Sequence, residues 1–410
     1  PSPCAGRRPF LPFDQCQQFP QFRQPIGSRK TNRIGQVDDD FLDMTPPPPG
    51  HRNSRQEKRD SPLQRQRSVF RIAILLFLLP VCAACISTDS ASANYPADTP
   101  LVGTMRDGHH INLIQPETFY SSDRVDFLQI ESSITNGVKV GVAIYKPEAP
   151  GPILLMSHGW HESVTRPEAD TPNPYPGFLT VQVDMRGRAY STGEPDANGY
   201  ELYDFLDALN YVREHYSDFI SDPDRVHFIG GSGGGGNALA LAGRFPDLFS
   251  SVIAMYGMSD YAAWYHSDDV GEFRDEMDIW IGTSPSENAE AYAVRSGITA
   301  LPNLFSPLYL VHGETDLRVP SSHSRNYAEA ASLLHKPVEY WEIEGVGNNA
   351  HLGNITPEQQ KRLDAFINTA LQSHSRAPAL PNRGILVVPG YVRTRHFDVK
   401  LDSIDQVGLV

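Results

Sequence analysis

Cysteine is what this sequence has least of. Its four cysteines, Cys4, Cys16, Cys82 and Cys85, all fall in the first 85 of 410 residues. From residue 86 onward there is no thiol, which excludes disulfide staples and thiol nucleophiles from the body of the chain. A His-Glu-x-x-His helix is missing too, and no Cys/His spacing suits a metal ion, so no metal is expected. Unbroken apolar runs long enough to cross a bilayer, about 20 residues, are absent. Positive charge is scarce: the formal net charge is -14. Residues 1–71 carry 13 of the 35 Lys and Arg and 7 of the 49 Asp and Glu, so the other 339 residues hold 22 against 42. A body this acidic argues against nucleic acid and anionic membrane surfaces as partners. Nothing in the sequence specifies an oligomeric state.

The amino-terminal part reads as separate from the body. Residues 1–68 are rich in Pro, Gln, Arg and Asp and lack periodic apolar residues. The run Thr45-Pro46-Pro47-Pro48-Pro49-Gly50 excludes helix and central strand. This stretch is expected to be disordered, as a non-folding leader or as a segment foreign to the native product. Residues 69–93 read as a secretory signal peptide. Arg71 precedes an apolar run from Ile72 to Ile86, broken by Pro80, and Ser90-Ala91-Ser92-Ala93 offers a small-residue cleavage site after Ala93. The native start is then expected near Val69 and the mature chain is expected to be exported, periplasmic or extracellular. Ala83-Ala84-Cys85 resembles a lipoprotein box with Cys82 where Leu is expected, which leaves lipidation at Cys85 as an alternative. Residues 94–122 read as a linker.

From residue 123 to about 375 short apolar strands alternate with helices. Phe127–Ile130 and Val138–Tyr145 form a leading strand pair around a turn at Asn136-Gly137. Buried strands follow at 152–156, 178–183, 226–229, 251–256, 308–311 and 338–343. Helical spacing of Leu202, Phe205, Leu206, Leu209 and Val212 marks one helix, and residues 357–371 another. This alternation predicts an α/β fold: a mostly parallel, doubly wound sheet with helices on both faces. Asp184 and Arg186, in the loop after one strand, read as a structural ion pair or turn. After residue 375 a carboxy-terminal extension holds two possible strands, 385–388 and 397–401. They are either an added pair or the start of a truncated β-domain.

Residues 230–234, Gly-Gly-Ser-Gly-Gly, fit G-x-S-x-G. A short strand precedes Ser232 and a small-residue helix follows it, the context of a nucleophile elbow. Gly230 and Gly234 suit a turn too tight for side chains. A phosphate loop is disfavoured, because no Gly-Lys-Ser/Thr follows. A serine hydroxyl needs a base, and the base an orienting acid, in the chain order Ser, acid, His. Such residues sit past the carboxyl ends of strands. Asp316 meets this requirement, with Glu314 as its rival. Among 14 histidines, His351 alone lies in the loop directly after the last strand. His351 would take the Ser232 proton, and Asp316 would hold its tautomer. The oxyanion would be met by the backbone N–H of Gly233 and, from His158-Gly159-Trp160, that of Trp160, with His158 holding the turn. Residues 257–306 are a long insertion. Its Trp264, Tyr265 and Trp280 either line a substrate pocket or pack the insertion's own core.

Residues 125–371 resemble the catalytic domain of the prolyl oligopeptidase family of serine peptidases, within the α/β-hydrolase superfamily. The matching pieces are Ser157-His158-Gly159; Asp184-Met185-Arg186-Gly187 with Ser191 and Gly193; Asp222-Pro223-Asp224-Arg225-Val226; and His312-Gly313-x-x-Asp316-x-x-Val319-Pro320. The resemblance implies the triad Ser232, Asp316 and His351 and no cofactor. Members of that family usually carry a β-propeller before the catalytic domain. Here only residues 94–124 separate the signal segment from the first strand, so size-gated cleavage is not implied. The expected function is an exported serine hydrolase that cleaves peptide bonds of a small peptide substrate through an acyl-enzyme. The alternatives are a carboxylesterase acting on carbohydrate-linked or small acyl esters, and a catalytically silent binding module.

Overall fold

The computed structural model describes residues 105–106, 109–268, 271 and 273–410. The leader, the signal segment, Cys85 and the first part of the linker lie outside the described residues. Strands β1 (Met105–Arg106) and β2 (His109–His110) form their own antiparallel pair. The body runs β3 (Tyr120–Ser121), β4 (Val125–Glu131), β5 (Lys139–Tyr145), β6 (Ile153–Ser157), β7 (Leu179–Asp184), α1 (Leu202–His215), β8 (Val226–Gly231), α2 (Gly233–Arg244) and β9 (Ser251–Met255). It continues through α3 (Tyr261–Ser267), α4 (Arg274–Ile281), α5 (Ala289–Arg295), β10 (Leu308–Asp316), α6 (Ser322–Leu333), β11 (Val338–Asn348) and α7 (Pro357–Gln372). Four short strands close the chain: β12 (Val387–Pro389), β13 (Tyr391–Arg393), β14 (Asp398–Lys400) and β15 (Val407–Leu409).

Nine strands form one sheet in the order β11-β10-β9-β8-β6-β7-β5-β4-β3. Pairing is parallel from β11 through β7 and antiparallel from β7 to β3. Because strand side chains alternate between faces, each central strand feeds two cores. Leu155, Phe228, Val252 and Leu310 join one, with residues of α1, α2 and α6. Leu154, Ile229, Ile253 and Val311 join the other, with Leu363, Ile367 and Leu371 of α7. That two-sided burial is why these strands read as continuous apolar runs. The α7 helix starts at a capping box, in which Thr356 and Gln359 satisfy each other's backbone N–H. Among the described residues no helix is long and apolar enough to cross a membrane.

The chain leaves β6 toward β7 and leaves β8 toward β9, on opposite sides of the sheet order. The carboxyl ends of β6 and β8 therefore flank the switch point, where α/β sheets open a crevice. Two strands run past their apolar segments. After a register shift at Gly313/Thr315, pairs Thr315↔Gly347 and Asp316↔Asn348 extend β10 and β11 beyond Val311 and Ile343.

Of the two readings of Asp184 and Arg186 the turn holds, with the Arg188 N–H donating to Met185 O at 3.2 Å, and the ion pair between them does not. Arg186 Nη2 lies 2.6 Å from Asp204 Oδ1, while Asp184 accepts from the Val164 and Tyr190 amides at 2.9 and 2.8 Å. Alternation explains the difference, since residues two apart at a strand end share a face only while the strand continues, and β7 stops at Asp184. The carboxy-terminal strands form two small antiparallel pairs, β12 with β15 and β13 with β14. Tyr391 is 1 % exposed within the main core, and its hydroxyl donates to Gly199 O at 3.0 Å. Asn303 exchanges hydrogen bonds with the Val387 backbone. Tyr391→Ala is expected to cost about 3–5 kcal/mol of stability, as for other buried aromatic truncations. Urea denaturation measures it; a cost under about 1 kcal/mol would show that the extension contributes nothing to the domain's core.

Candidate active site

Ser232 is the whole turn between β8 and α2. Its backbone has φ 55° and ψ -121°, a conformation that costs a non-glycine residue roughly 1–3 kcal/mol. The neighbours make that turn sterically open. A Cβ at Gly230 would collide with the Gly234 carbonyl, and one at Gly233 would come 2.5 Å from Trp160 N. The Ser232 N–H donates to Met255 O at 3.0 Å, and Gly236 N–H donates to Ser232 O at 3.0 Å. The hydroxyl takes no hydrogen-bond partner among the described residues and is half-buried at the amino end of α2. That helix end carries partial positive charge and unpaired N–H groups.

The turn after β6 supplies a second free amide. Gly159 N–H is taken by Glu162 Oε2 at 3.0 Å, and burial pushes the Glu162 carboxyl up. The Trp160 N–H has no acceptor among the described residues, and it faces Gly233 across the 2.5 Å approach a methyl would occupy. His158 is buried, and its Nδ1 is 2.9 Å from the Gly159 carbonyl, to which it donates. Burial, followed by the charge of Arg188, lowers this imidazole to about 3, so it stays neutral. It braces the turn.

The structure brings His351 onto Asp316. His351 Nδ1 donates to Asp316 Oδ2 at 2.7 Å, both side chains being buried. The tautomer follows: with Nδ1 protonated, Nε2 keeps its lone pair. Oδ1 of the same carboxylate accepts from the Arg318 and Val319 amides at 2.9 and 3.1 Å. Burial alone would raise the Asp316 pKa, but hydrogen bonds from His312 and His351 outweigh it and hold the carboxyl down at about 2. Glu314, the rival acid, is exposed and accepts from the Gly345 amide at 2.9 Å.

Two contacts carry no sequence signal of their own. His312 Nε2 lies 3.4 Å from Asp316 Oδ2 and 2.8 Å from Val319 O, while Nδ1 lies 2.6 Å from Ser324 Oγ. Its place in the His312-Gly313-x-x-Asp316 pattern was the only hint. Tyr256 stacks on the His351 ring at 4.7 Å and 10°, and its hydroxyl lies against Gly231, the residue before Ser232. Tyr256 thus ties the imidazole to the serine turn.

The aromatic insertion gathers beside Trp160. Trp264 lies 4.9 Å from the Trp160 ring and Trp280 4.5 Å; both are buried. Trp160 Nε1 donates to Glu276 Oε2 at 2.5 Å. Tyr265, about 100° round α3 from Trp264, meets Tyr292 edge-on at 5.6 Å and donates to Asp278 at 3.2 Å.

The Asp316 carboxyl is depressed on folding, so the unfolded chain binds the proton more tightly. The stability this contributes is present above the unfolded value near 4 and is lost as pH falls toward about 2. Urea midpoints measured from pH 5 to 2.5 are expected to fall less steeply in Asp316→Asn than in the parent. Parallel curves would overturn the assignment.

Residues 175–374 match the Peptidase_S9 model, that of the prolyl oligopeptidase family. The chain is 28% identical over 212 residues to the uncharacterized peptidase YtmA of Bacillus subtilis, covering 51% of this chain and 80% of that one. It is 25% identical over 220 residues to the rat acylamino-acid-releasing enzyme, covering 48% of this chain and 27% of the relative. Among solved structures, Pyrococcus horikoshii acylaminoacyl peptidase superposes with a TM-score of 0.52 at 20% identity, over 63% of this chain and 43% of that one. The chain thus spans most of one relative and about a quarter of another.

Proposed function

We propose, for a chain that carries a catalytic domain of the prolyl oligopeptidase family, that Ser232, His351 and Asp316 hydrolyse peptide bonds of short peptides through an acyl-enzyme. The observation that carries this reading is the His351–Asp316 hydrogen bond of 2.7 Å beside a strained serine turn. As Ser232 Oγ bonds to the scissile carbonyl carbon, its proton passes to His351 Nε2. Charge develops on the carbonyl oxygen, where the Gly233 and Trp160 N–H groups, without other acceptors among the described residues, would receive it. One such donor is worth roughly 2.7–4 kcal/mol of barrier. The C–N bond breaks as His351 returns the proton to the leaving amine. Water then attacks the acyl-enzyme with His351 again as base, releasing the acid and restoring the hydroxyl. Asp316 stays ionised and steadies the imidazolium.

The peptide rather than the ester reading is supported by the peptidase relatives, since ester hydrolysis needs the same groups. Trp264 and Trp280, buried with Trp160 in one apolar cluster, would back the acyl-side pocket from within the insertion's own core rather than line it, with Tyr265 at its margin. Export through residues 69–93 belongs to the same proposal. A reporter fused to those residues and retained in the cytoplasm would overturn that part alone.

Ser232→Ala is expected to abolish fluorophosphonate labelling and to cut turnover of an aminoacyl p-nitroanilide by at least about 10³-fold. Normal labelling of the variant would refute the nucleophile. In a panel at equal concentration, aminoacyl amides and blocked short peptides are expected to turn over faster than acetyl and feruloyl esters of sugars. The reverse order would replace the peptidase reading with the esterase one.

A further inference from the structure

Four arginines are at most 4% exposed among the described residues: Arg186, Arg188, Arg244 and Arg295. Three are paired. Arg186 meets Asp204 at 2.6 Å and Arg295 meets Asp405 at 2.6 Å. Arg244 donates to the Asn198 and Val294 carbonyls at 2.6 and 2.7 Å. Arg188 is the exception. It is 2% exposed, and among the described residues its guanidinium has no hydrogen-bond acceptor and no carboxylate at ion-pair distance; Nε and Nη1 are enclosed without a partner. One face of it lies over the Trp280 ring at 4.5 Å, which attracts the charge but accepts none of the in-plane hydrogens.

Nearby acids do not supply the missing acceptors. Burial lowers the Arg188 pKa, and the charges of Glu201, Asp184, Glu276 and Asp196 offset that from a distance. Each is occupied. Asp184 accepts from the Val164 and Tyr190 amides, and Glu201 from the Asn198 amide. Glu276 accepts from Trp160, and Asp196 from the Gly199 and Tyr200 amides. Guanidinium stays charged at any physiological pH. An enclosed cation with unmet donors is strongly unfavourable unless an anion reaches it.

A cavity of about 310 Å3 adjoins it, lined by Arg188 with His110, Asn112, Ser191, Thr192 and Glu194. That size is at the lower end for small-molecule sites. Ser232, Asp316 and His351 are not among its lining residues. We propose that this cavity binds a small carboxylate on Arg188. A carboxylate can accept a charge-assisted N–H bond from Nη2, the one guanidinium nitrogen that is not enclosed. It is planar, so it can lie in the plane of a guanidinium whose one face Trp280 already covers, where a tetrahedral phosphate needs more room. Two ring contacts, Arg188 on Trp280 and Trp280 on Trp160, connect the site to the turn whose amide faces Gly233.

The test is a thermal melt of the full chain at pH 8 with 50 mM sodium acetate, sodium phosphate or sodium chloride, matched in ionic strength. Acetate is expected to raise Tm by about 2 °C over chloride, and phosphate by less. Arg188→Gln is expected to remove the acetate increment. Asn112→Trp, a substitution at an exposed rim position, is expected to remove it by filling the entrance, and decides alone if Arg188→Gln does not fold. No acetate-specific rise in the parent, or an undiminished rise in the folded variants, would overturn the site. A phosphate rise equal to or above that of acetate would overturn the carboxylate assignment.

Discussion

The rest of the site depends on one steric constraint: β8 must hand over to α2 within a single residue. Ser232 is that residue, and it is held at φ 55° with its amide donating to Met255 O. Such a turn survives only if the helix can seat itself against the ends of β6, β8 and β9 at backbone distance. The run of glycines around Ser232 permits this, as the collisions of a Cβ at Gly230 with Gly234 and at Gly233 with Trp160 make plain. The same closeness places the first free amide of α2 beside the free amide of Trp160. One packing constraint therefore both exposes the hydroxyl and assembles the two donors.

The second half of the site rests on sheet register. Asp316 and the loop of His351 leave neighbouring strands, and the pair Asp316↔Asn348 fixes how far apart they begin. Three residues later the chain turns at His351, itself at φ 57°, and the imidazole comes back onto the carboxylate. Asp316 is held by two amides and two histidines, so its ionised form and its orientation are set together. Tyr256, also in a left-handed conformation at φ 41°, bridges this half to the serine turn. The distortions lie where three strand ends converge, as expected if the surrounding sheet stabilises what a local turn would not.

Buried arginines show how differently one residue type is used. Arg186, Arg244 and Arg295 link segments by meeting carboxylates or carbonyls. Arg188, two residues from Arg186, is left with a ring face and a cavity. Nothing in the local sequence separates the two, since both follow the same strand. The separation comes from Asp204, which α1 delivers to Arg186 alone.

The sequence by itself determined the fold class, the serine turn and the order of the three candidate groups. These follow from short-range chemistry: alternating apolar runs, glycine at a turn without room for Cβ, and an acid and a histidine each just past a strand. The choice between Asp316 and Glu314 was not local. Both lie at the carboxyl end of β10, and only the shifted register with β11 turns one toward His351 and the other toward the Gly345 amide. The partners His312 and Tyr256, the true mate of Arg186 and the solitude of Arg188 were likewise decided by tertiary structure alone. Each depends on which elements lie side by side in space, and spacing along a chain carries no record of that.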